Sequence, residues 1–276
     1  MAPETLVWNT AILPFGVAVL LCFVLGRVLP PRFGDAGVVL ALAAAFAATY
    51  VALLGVPSWP PANAQARIAW LAVALGPLAL VLAALPTGMQ ARAALPLAVL
   101  AALLVVLWTG GARLSLDPDR LLPLLPAAAL ALVLTVGLAR PASNPPWPVV
   151  RLAAAAAGLG AVALAGHTAS TGQLALALTF GAIGASVLPR QPVPFAWLAG
   201  GILLAALMVQ LALFSTIGWA VLVLVAAGLW SDVVALHVHR FLERTRTFGW
   251  ALGLAFTGLV LGGAFLLSGL LDRITG

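Results

Sequence analysis

Charged residues are scarce in this sequence of 276 amino acids, and lysine is missing altogether. Only 7% of the residues are charged, whereas 64% are hydrophobic and the mean hydropathy is +1.17. A soluble domain carries about 25% charged residues, because it needs polar groups to cover a surface that faces water. The scarcity of charge therefore excludes a soluble globular domain, and the high hydrophobicity excludes an intrinsically disordered chain.

Cysteine occurs once, at Cys22, so no disulfide, cysteine-based zinc site or haem attachment motif is expected. A phosphate-binding glycine loop, a His-Glu-x-x-His motif and a Gly-x-Ser-x-Gly motif are also missing. We therefore predict no catalytic residue, metal or cofactor. The 13 basic residues are all arginines, and they are spread between apolar segments rather than gathered in one patch. Their charge therefore does not predict nucleic-acid binding.

Long apolar segments fill most of the chain. A helix that spans a bilayer needs about 20 mostly apolar residues, and ten segments qualify. They are residues 8–29, 36–56, 67–85, 93–109, 121–138, 149–166, 172–188, 194–213, 216–238 and 247–271. Prolines lie in several of the intervening breaks, and proline cannot continue a helix. The sequence predicts an all-α, polytopic transmembrane bundle of about ten spans in a lipid bilayer.

The break at Phe214 and Ser215, between the eighth and ninth segments, is the weakest of the series. One bent helix is the alternative there. The first segment has no basic start and no small-residue cleavage site, so we expect a retained span rather than a cleaved signal peptide.

Arginine distribution predicts the orientation of the chain, because cytoplasmic loops carry an excess of arginine. With the N-terminus outside, nine arginines lie on the cytoplasmic side and four on the outer side. The cytoplasmic set is Arg27, Arg32, Arg92, Arg140, Arg151, Arg190, Arg240, Arg244 and Arg246. We therefore expect a bacterial-type cytoplasmic (inner) membrane protein with both termini outside.

A proline-rich stretch at 141–148 divides this single integral membrane domain into possible halves, 1–140 and 149–276. Each half would hold five spans. Since five is odd, the second half would be inverted relative to the first, as in many transporters. The tetrapeptide Ala-Trp-Leu-Ala occurs at 69–72 and at 196–199, which are corresponding positions. The five-plus-five inverted repeat is a hypothesis on this support.

Ionisable side chains cluster at the end of the ninth segment. Asp232, His239 and Glu243 fall on one face of a helix with 3.6 residues per turn. An acid inside a membrane is costly, and it usually faces protein or water and has a partner. The functional hypothesis is a proton pathway or cation site on these residues. The alternative is a solvated helix end.

Uncharged polar side chains gather at the predicted outer ends of spans six to nine. They are His167, Thr168, Ser170, Thr171, Gln173, Gln210, Ser215 and Thr216. If these spans pack together, the groups line a vestibule for a neutral or lipid-like ligand; the alternative is a pair of ordinary loops. Gln210 and Gln173 are the candidate ligand residues. Gln210 lies within a span, where an amide needs a hydrogen-bond partner.

Two pairs of glycines form small-residue faces, which let helices approach closely. Gly181 and Gly184 lie in the seventh segment, and Gly258 and Gly262 lie in the last. Such faces serve contacts within one bundle or in a homo- or hetero-oligomer.

These features favour three functions, in decreasing order. The first is a permease for a small neutral or lipid-like molecule. The second is a non-catalytic subunit or assembly factor of a larger membrane complex. The third is a membrane-embedded enzyme that uses the aspartate and histidines of the ninth segment.

Overall fold

The computed structural model describes residues 3–30, 33–111, 123–139, 147–186 and 194–228, and all regular secondary structure in these ranges is helical. The elements are α1 (Pro3–Val7), a π-helical turn (Trp8–Ile12), α2 (Leu13–Val28), α3 (Gly34–Leu54), α4 (Ala64–Ala83), α5 (Thr87–Gly110), α6 (Leu124–Ala139), α7 (Trp147–Ala165), α8 (Ala169–Ser186), α9 (Pro194–Phe214) and α10 (Trp219–Gly228). The predicted all-α helical bundle is confirmed.

Several helices are long and apolar enough to cross a membrane. By length and composition, five stretches in the described ranges qualify: Glu4–Val28, Ala36–Leu54, Ala64–Ala83, Arg92–Gly110 and Trp197–Phe214. Shorter apolar stretches lie in α6 and α7, at Leu124–Gly137 and Arg151–Ala165. These helices indicate a membrane protein. The figure of ten spans stays a prediction.

Local chemistry fixes the helix ends. Gly55 follows α3 with φ 83°, a left-handed backbone conformation that glycine adopts without a steric penalty. Asn63 precedes α4, and its side-chain oxygen accepts a hydrogen bond of 2.8 Å from the backbone N–H of Ala66. Between α9 and α10, the Ser215 hydroxyl donates to the Leu211 carbonyl and accepts from the N–H of Ile217. The eighth and ninth segments are therefore separate helices at this break.

Helix α9 lies at the centre of the described bundle. Of its spanning stretch, 89% is buried, whereas 17% of the spanning stretch at Glu4–Val28 is buried. Helix α9 contacts α3, α4, α5, α6, α7, α8 and α10. A side chain at Gly200 would collide with Leu152, so α7 and α9 run side by side from the same end. At the other end, Gly110 of α5 lies against Leu124 of α6 and Leu213 of α9.

The π-helical turn follows from a proline. The N–H of Leu13 bonds to the Trp8 carbonyl, five residues back. Pro14 comes next, and a proline ring collides with the carbonyl four residues before it in a regular α-helix. The wider π turn moves that carbonyl, which belongs to Thr10, away from the ring. The turn buries Asn9 and Thr10 against α8.

The glycines of α8 differ in the closeness of their neighbours. A methyl group at Gly184 would lie 2.7 Å from the backbone oxygen of Phe15 and 3.1 Å from Cβ of Ala18. At Gly181 the nearest atoms would lie 3.4 Å away, on the Leu42 side chain, which is ordinary contact. Both glycines therefore serve contacts inside the bundle. Oligomerisation through these faces stays a prediction, and Gly258 and Gly262 lie outside the described residues.

We predict that Gly184→Ala lowers the free energy of unfolding by about 1–3 kcal/mol, because the added methyl group meets backbone that cannot rotate away. The matched control is Gly181→Ala in the same helix, which should be neutral or slightly stabilising. Unfolding in mixed detergent micelles, followed by circular dichroism, measures both. Equal stability of the two variants would contradict the close approach of α2 and α8.

Candidate functional site

The ionisable cluster predicted for the ninth segment cannot be placed. Asp232, His239 and Glu243 lie outside the described residues, because α10 is described only to Gly228. The proton-pathway and cation-site hypothesis stays a prediction. Within the described ranges, no group of three or more histidine, cysteine or acidic residues is arranged to hold a metal ion.

Polar residues come together at one end of the bundle, where α4, α6, α8 and α10 begin and where α5, α7 and α9 end. The loop after α7 contacts the loop after α9, since a methyl group at Gly166 would lie 2.8 Å from the Ile217 side chain. The described parts of α7, α8, α9 and α10 therefore pack together at this end. We call this region the polar end and define it by Gln65, Thr109, Thr171 and Gln210.

Gln210 is the central group of the polar end. It lies on α9, one turn before the end of the helix, and is 9% exposed. Its Nε2 donates to Oγ1 of Thr171 on α8 over 3.3 Å. Its Oε1 is buried and accepts no hydrogen bond from any residue in the described part of the chain. The amide thus joins two helices with one end and leaves an acceptor unused at the other.

Gln65 makes a second bond between helices. Its Nε2 donates to the hydroxyl of Ser170 over 2.5 Å, which connects the first turn of α4 to the first turn of α8. Ser170 and Thr171 are adjacent, so the beginning of α8 is joined to α4 through one residue and to α9 through the next. Side-chain hydrogen bonds between membrane helices contribute about 0.6 kcal/mol each on average. These bonds position α8 rather than dominate its stability.

Thr109 is another buried group whose polar atom has no partner among the described residues. It lies one residue before the end of α5 and is fully buried, yet its hydroxyl makes no hydrogen bond within the described ranges. The hydroxyls of Thr49, Thr135 and Thr179 each donate to the carbonyl four residues earlier, which is the ordinary arrangement in a helix. Because Gly110 contacts Leu213, Thr109 lies at the level of the last turns of α9 that carry Gln210.

The Gln210 oxygen and the Thr109 hydroxyl, which both lie near the ends of their helices, carry an energetic cost. Leaving a buried polar group unsatisfied costs about 1–3 kcal/mol, and such groups are few in folded proteins. The Gln210 oxygen and the Thr109 hydroxyl therefore form a candidate binding position on adjacent helices, α9 and α5. It offers one hydrogen-bond acceptor and one group that both donates and accepts.

Arg67 lies at the rim of the polar end. Its Nη1 donates to the backbone oxygen of Trp108 over 3.1 Å, and the indole Nε1 of Trp108 donates back to the Arg67 carbonyl over 2.8 Å. The guanidinium thus lies beside the C-terminal carbonyls of α5, where the helix dipole favours a cation. The Trp70 indole donates to the Ser58 carbonyl and meets Trp59 edge-on at 5.2 Å. Indoles at helix ends are typical of a membrane interface.

Gln173 does not share the environment of Gln210. It is partly buried and makes no side-chain hydrogen bond among the described residues. It comes two positions after Thr171, which is about 200° around a helix with 3.6 residues per turn. Gln173 therefore lies on a different face of α8 from the residue that binds Gln210. Its role in a ligand pathway stays a prediction.

Arg151, which the orientation prediction counts on the cytoplasmic side, lies inside a helix rather than in a loop, and the side of the membrane on which it lies stays a prediction. Helix α7 begins at Trp147, so Arg151 lies inside it, 2% exposed. Its Nη1 donates to the Gly137 carbonyl near the end of α6 over 3.1 Å. The position of Arg151 inside the apolar segment 149–166 already signalled a buried cation.

We predict that Thr109→Val leaves the free energy of unfolding unchanged or raises it, because valine has the same shape and removes a hydroxyl that has no partner in the described ranges. Thr135→Val is the matched control. Its hydroxyl donates to Ala98 of α5 and Ala131 of α6, so we expect a loss of about 1 kcal/mol. Unfolding in mixed micelles measures both. A larger loss at Thr109 than at Thr135 would contradict the unpartnered hydroxyl.

Comparison with known proteins adds no relative: no protein-family model, curated protein or solved structure was found to match this chain. The apolar helices described above remain the ground for its class, and they indicate a helical membrane protein.

Proposed function

We propose that this protein is a permease for a small neutral molecule. The observation that carries the proposal is the buried, uncharged polar end, in which the Gln210 amide and the Thr109 hydroxyl have unused hydrogen-bonding capacity among the described residues. A polar group buried inside a membrane bundle is costly, so unused hydrogen-bonding capacity at such a position supports a role in binding a ligand. The multi-pass inner-membrane location, the outer termini and the inverted five-plus-five repeat belong to this proposal as sequence-based predictions.

Charge distribution favours a neutral substrate. Among the buried polar residues of the described ranges, Arg151 alone is charged, and it lies toward the opposite end of α7 from the polar end. A charged substrate in an apolar bundle would need a counter-charge, since burial of an unpaired ion is very costly. Arg67 is only half-buried at the rim, and Trp108 already occupies one of its nitrogens.

The position of the polar end suits a gate. The hydrogen bonds from Ser170 and Thr171 hold the beginning of α8 against α4 and α9. Each bond is weak enough to break at little cost, so opening at this end needs no loss of an ion pair. Within the described bundle, α9 is enclosed by its neighbours and supplies a fixed element at this end.

Transport by proteoliposomes tests the proposal. We predict that the purified chain increases the permeability of liposomes to acetamide, urea or glycerol above that of protein-free liposomes, as measured by stopped-flow light scattering. Gln210→Leu should reduce the increase, because it removes the buried amide while keeping a similar volume. Thr49→Val is the control, since the Thr49 hydroxyl donates only within its own helix and its loss should leave transport unchanged.

Two results would contradict the permease. One is the absence of any increase with a folded protein. The other is a stoichiometric partner chain after mild purification into nanodiscs, combined with inactivity alone, which would favour a subunit of a larger complex.

A further inference from the structure

We infer that the Gln210 carboxamide and the Thr109 hydroxyl form a binding position for an uncharged molecule bearing a primary amide or similar group that both donates and accepts hydrogen bonds. This inference names the substrate class of the same polar end and rests on the proposed function for its biological meaning. Binding and transport are separate measurements, so each can fail without the other.

The donors and acceptors at this position are complementary to an amide. The Gln210 oxygen accepts nothing within the described ranges, because the Nε2 end of the amide is held by Thr171. It therefore offers an acceptor to an N–H group. The Thr109 hydroxyl can donate to a carbonyl oxygen. A primary amide supplies both matching groups, whereas a hydrocarbon supplies neither.

The surroundings are apolar and crowded. Leu124 and Leu213 lie within 3.2 Å of where a methyl group at Gly110 would be, directly beside Thr109. On α9, the residues Leu207, Met208, Val209 and Leu211 next to Gln210 are almost completely buried. In such surroundings, hydrogen bonds are strengthened by the low dielectric, and an unpaired charge is strongly disfavoured. The position therefore favours a ligand group that is polar but carries no charge.

The bond between Gln210 and Thr171 also orients the amide before a ligand binds. A side chain already fixed at one end loses little conformational freedom on binding, which favours affinity. Because Thr171 lies next to Ser170, which bonds to Gln65, movement of α8 would change the orientation of the Gln210 amide. Binding at Gln210 is thus mechanically connected to the helix contacts at the polar end.

Acetamide and acetate provide a matched pair of probes, since they have nearly the same shape and differ in charge. The full chain in lipid nanodiscs, labelled with ¹⁵N in glutamine side chains, gives signals from Gln65, Gln90, Gln173, Gln191 and Gln210. Loss of one signal pair in Gln210→Leu assigns that residue. We expect acetamide to shift the Gln210 signals saturably with a Kd on the order of millimolar, and we expect acetate to leave them in place.

Variants and an internal reference sharpen the test. Thr109→Val should raise the acetamide Kd about tenfold, since it removes one hydrogen bond without a change in shape. Thr49→Val makes the same chemical change at a hydroxyl that bonds within its own helix, and it should leave the Kd unchanged. The Gln90 signals should not move, because its Nε2 donates to the carbonyls of Leu82, in the last turn of α4, and of Leu85, in the connection to α5.

Three results would overturn the inference. Gln210 signals that no neutral probe moves would show that the amide binds none of these molecules. Equal shifts with acetamide and acetate would remove the selection against charge. An unchanged Kd in Thr109→Val would remove Thr109 from the site. Transport of neutral solutes without a shift at Gln210 would leave the permease standing and refute this position, whereas a shift without transport would do the reverse.

Discussion

Backbone hydrogen bonding inside an apolar environment is the constraint on which this structure depends. A chain with 7% charged residues cannot rely on water for most of its N–H and carbonyl groups, so each segment must satisfy them internally. The α-helix does this within a single segment, and the described ranges are accordingly helical. The few departures have local partners: the π turn before Pro14, the Asn63 cap of α4 and the Ser215 bonds after α9.

Close packing of small residues holds these helices together, because apolar side chains gain little by leaving lipid for protein. Gly184 approaches the backbone of Phe15, and Gly200 makes room for Leu152. Polar side chains add bonds at chosen places, such as the Thr135 hydroxyl to the Ala98 carbonyl of the neighbouring helix. Enclosure of α9 by seven other helices follows from this packing, and it creates the buried setting in which Gln210 lies.

In the described ranges, the positions of the helices could be predicted from the sequence, whereas their environments could not. The segment 194–213 matches Pro194–Phe214 because apolar run length and flanking breaks are local properties. Hydropathy does not distinguish lipid from protein, so it could not show that this helix is enclosed while Glu4–Val28 is mostly exposed. The same limitation applies to Arg151, since its burial and its hydrogen bond to the Gly137 carbonyl of α6 depend on three-dimensional packing.

Of the two residues of the candidate site, the sequence indicated one and not the other. Gln210 stands out in sequence because an amide within an apolar segment is rare and needs a partner. Thr109 does not stand out, since a threonine in a helix ordinarily satisfies its own hydroxyl, as Thr49 does. The absence of a partner for its hydroxyl among the described residues is a consequence of three-dimensional packing at the end of α5. Proteins are stable by only about 5–15 kcal/mol, so two groups on adjacent helices that are unsatisfied within the described ranges, at about 1–3 kcal/mol each, are a substantial cost. A bound neutral group recovers that cost while it is present, which is the physical reason to connect this position with a ligand.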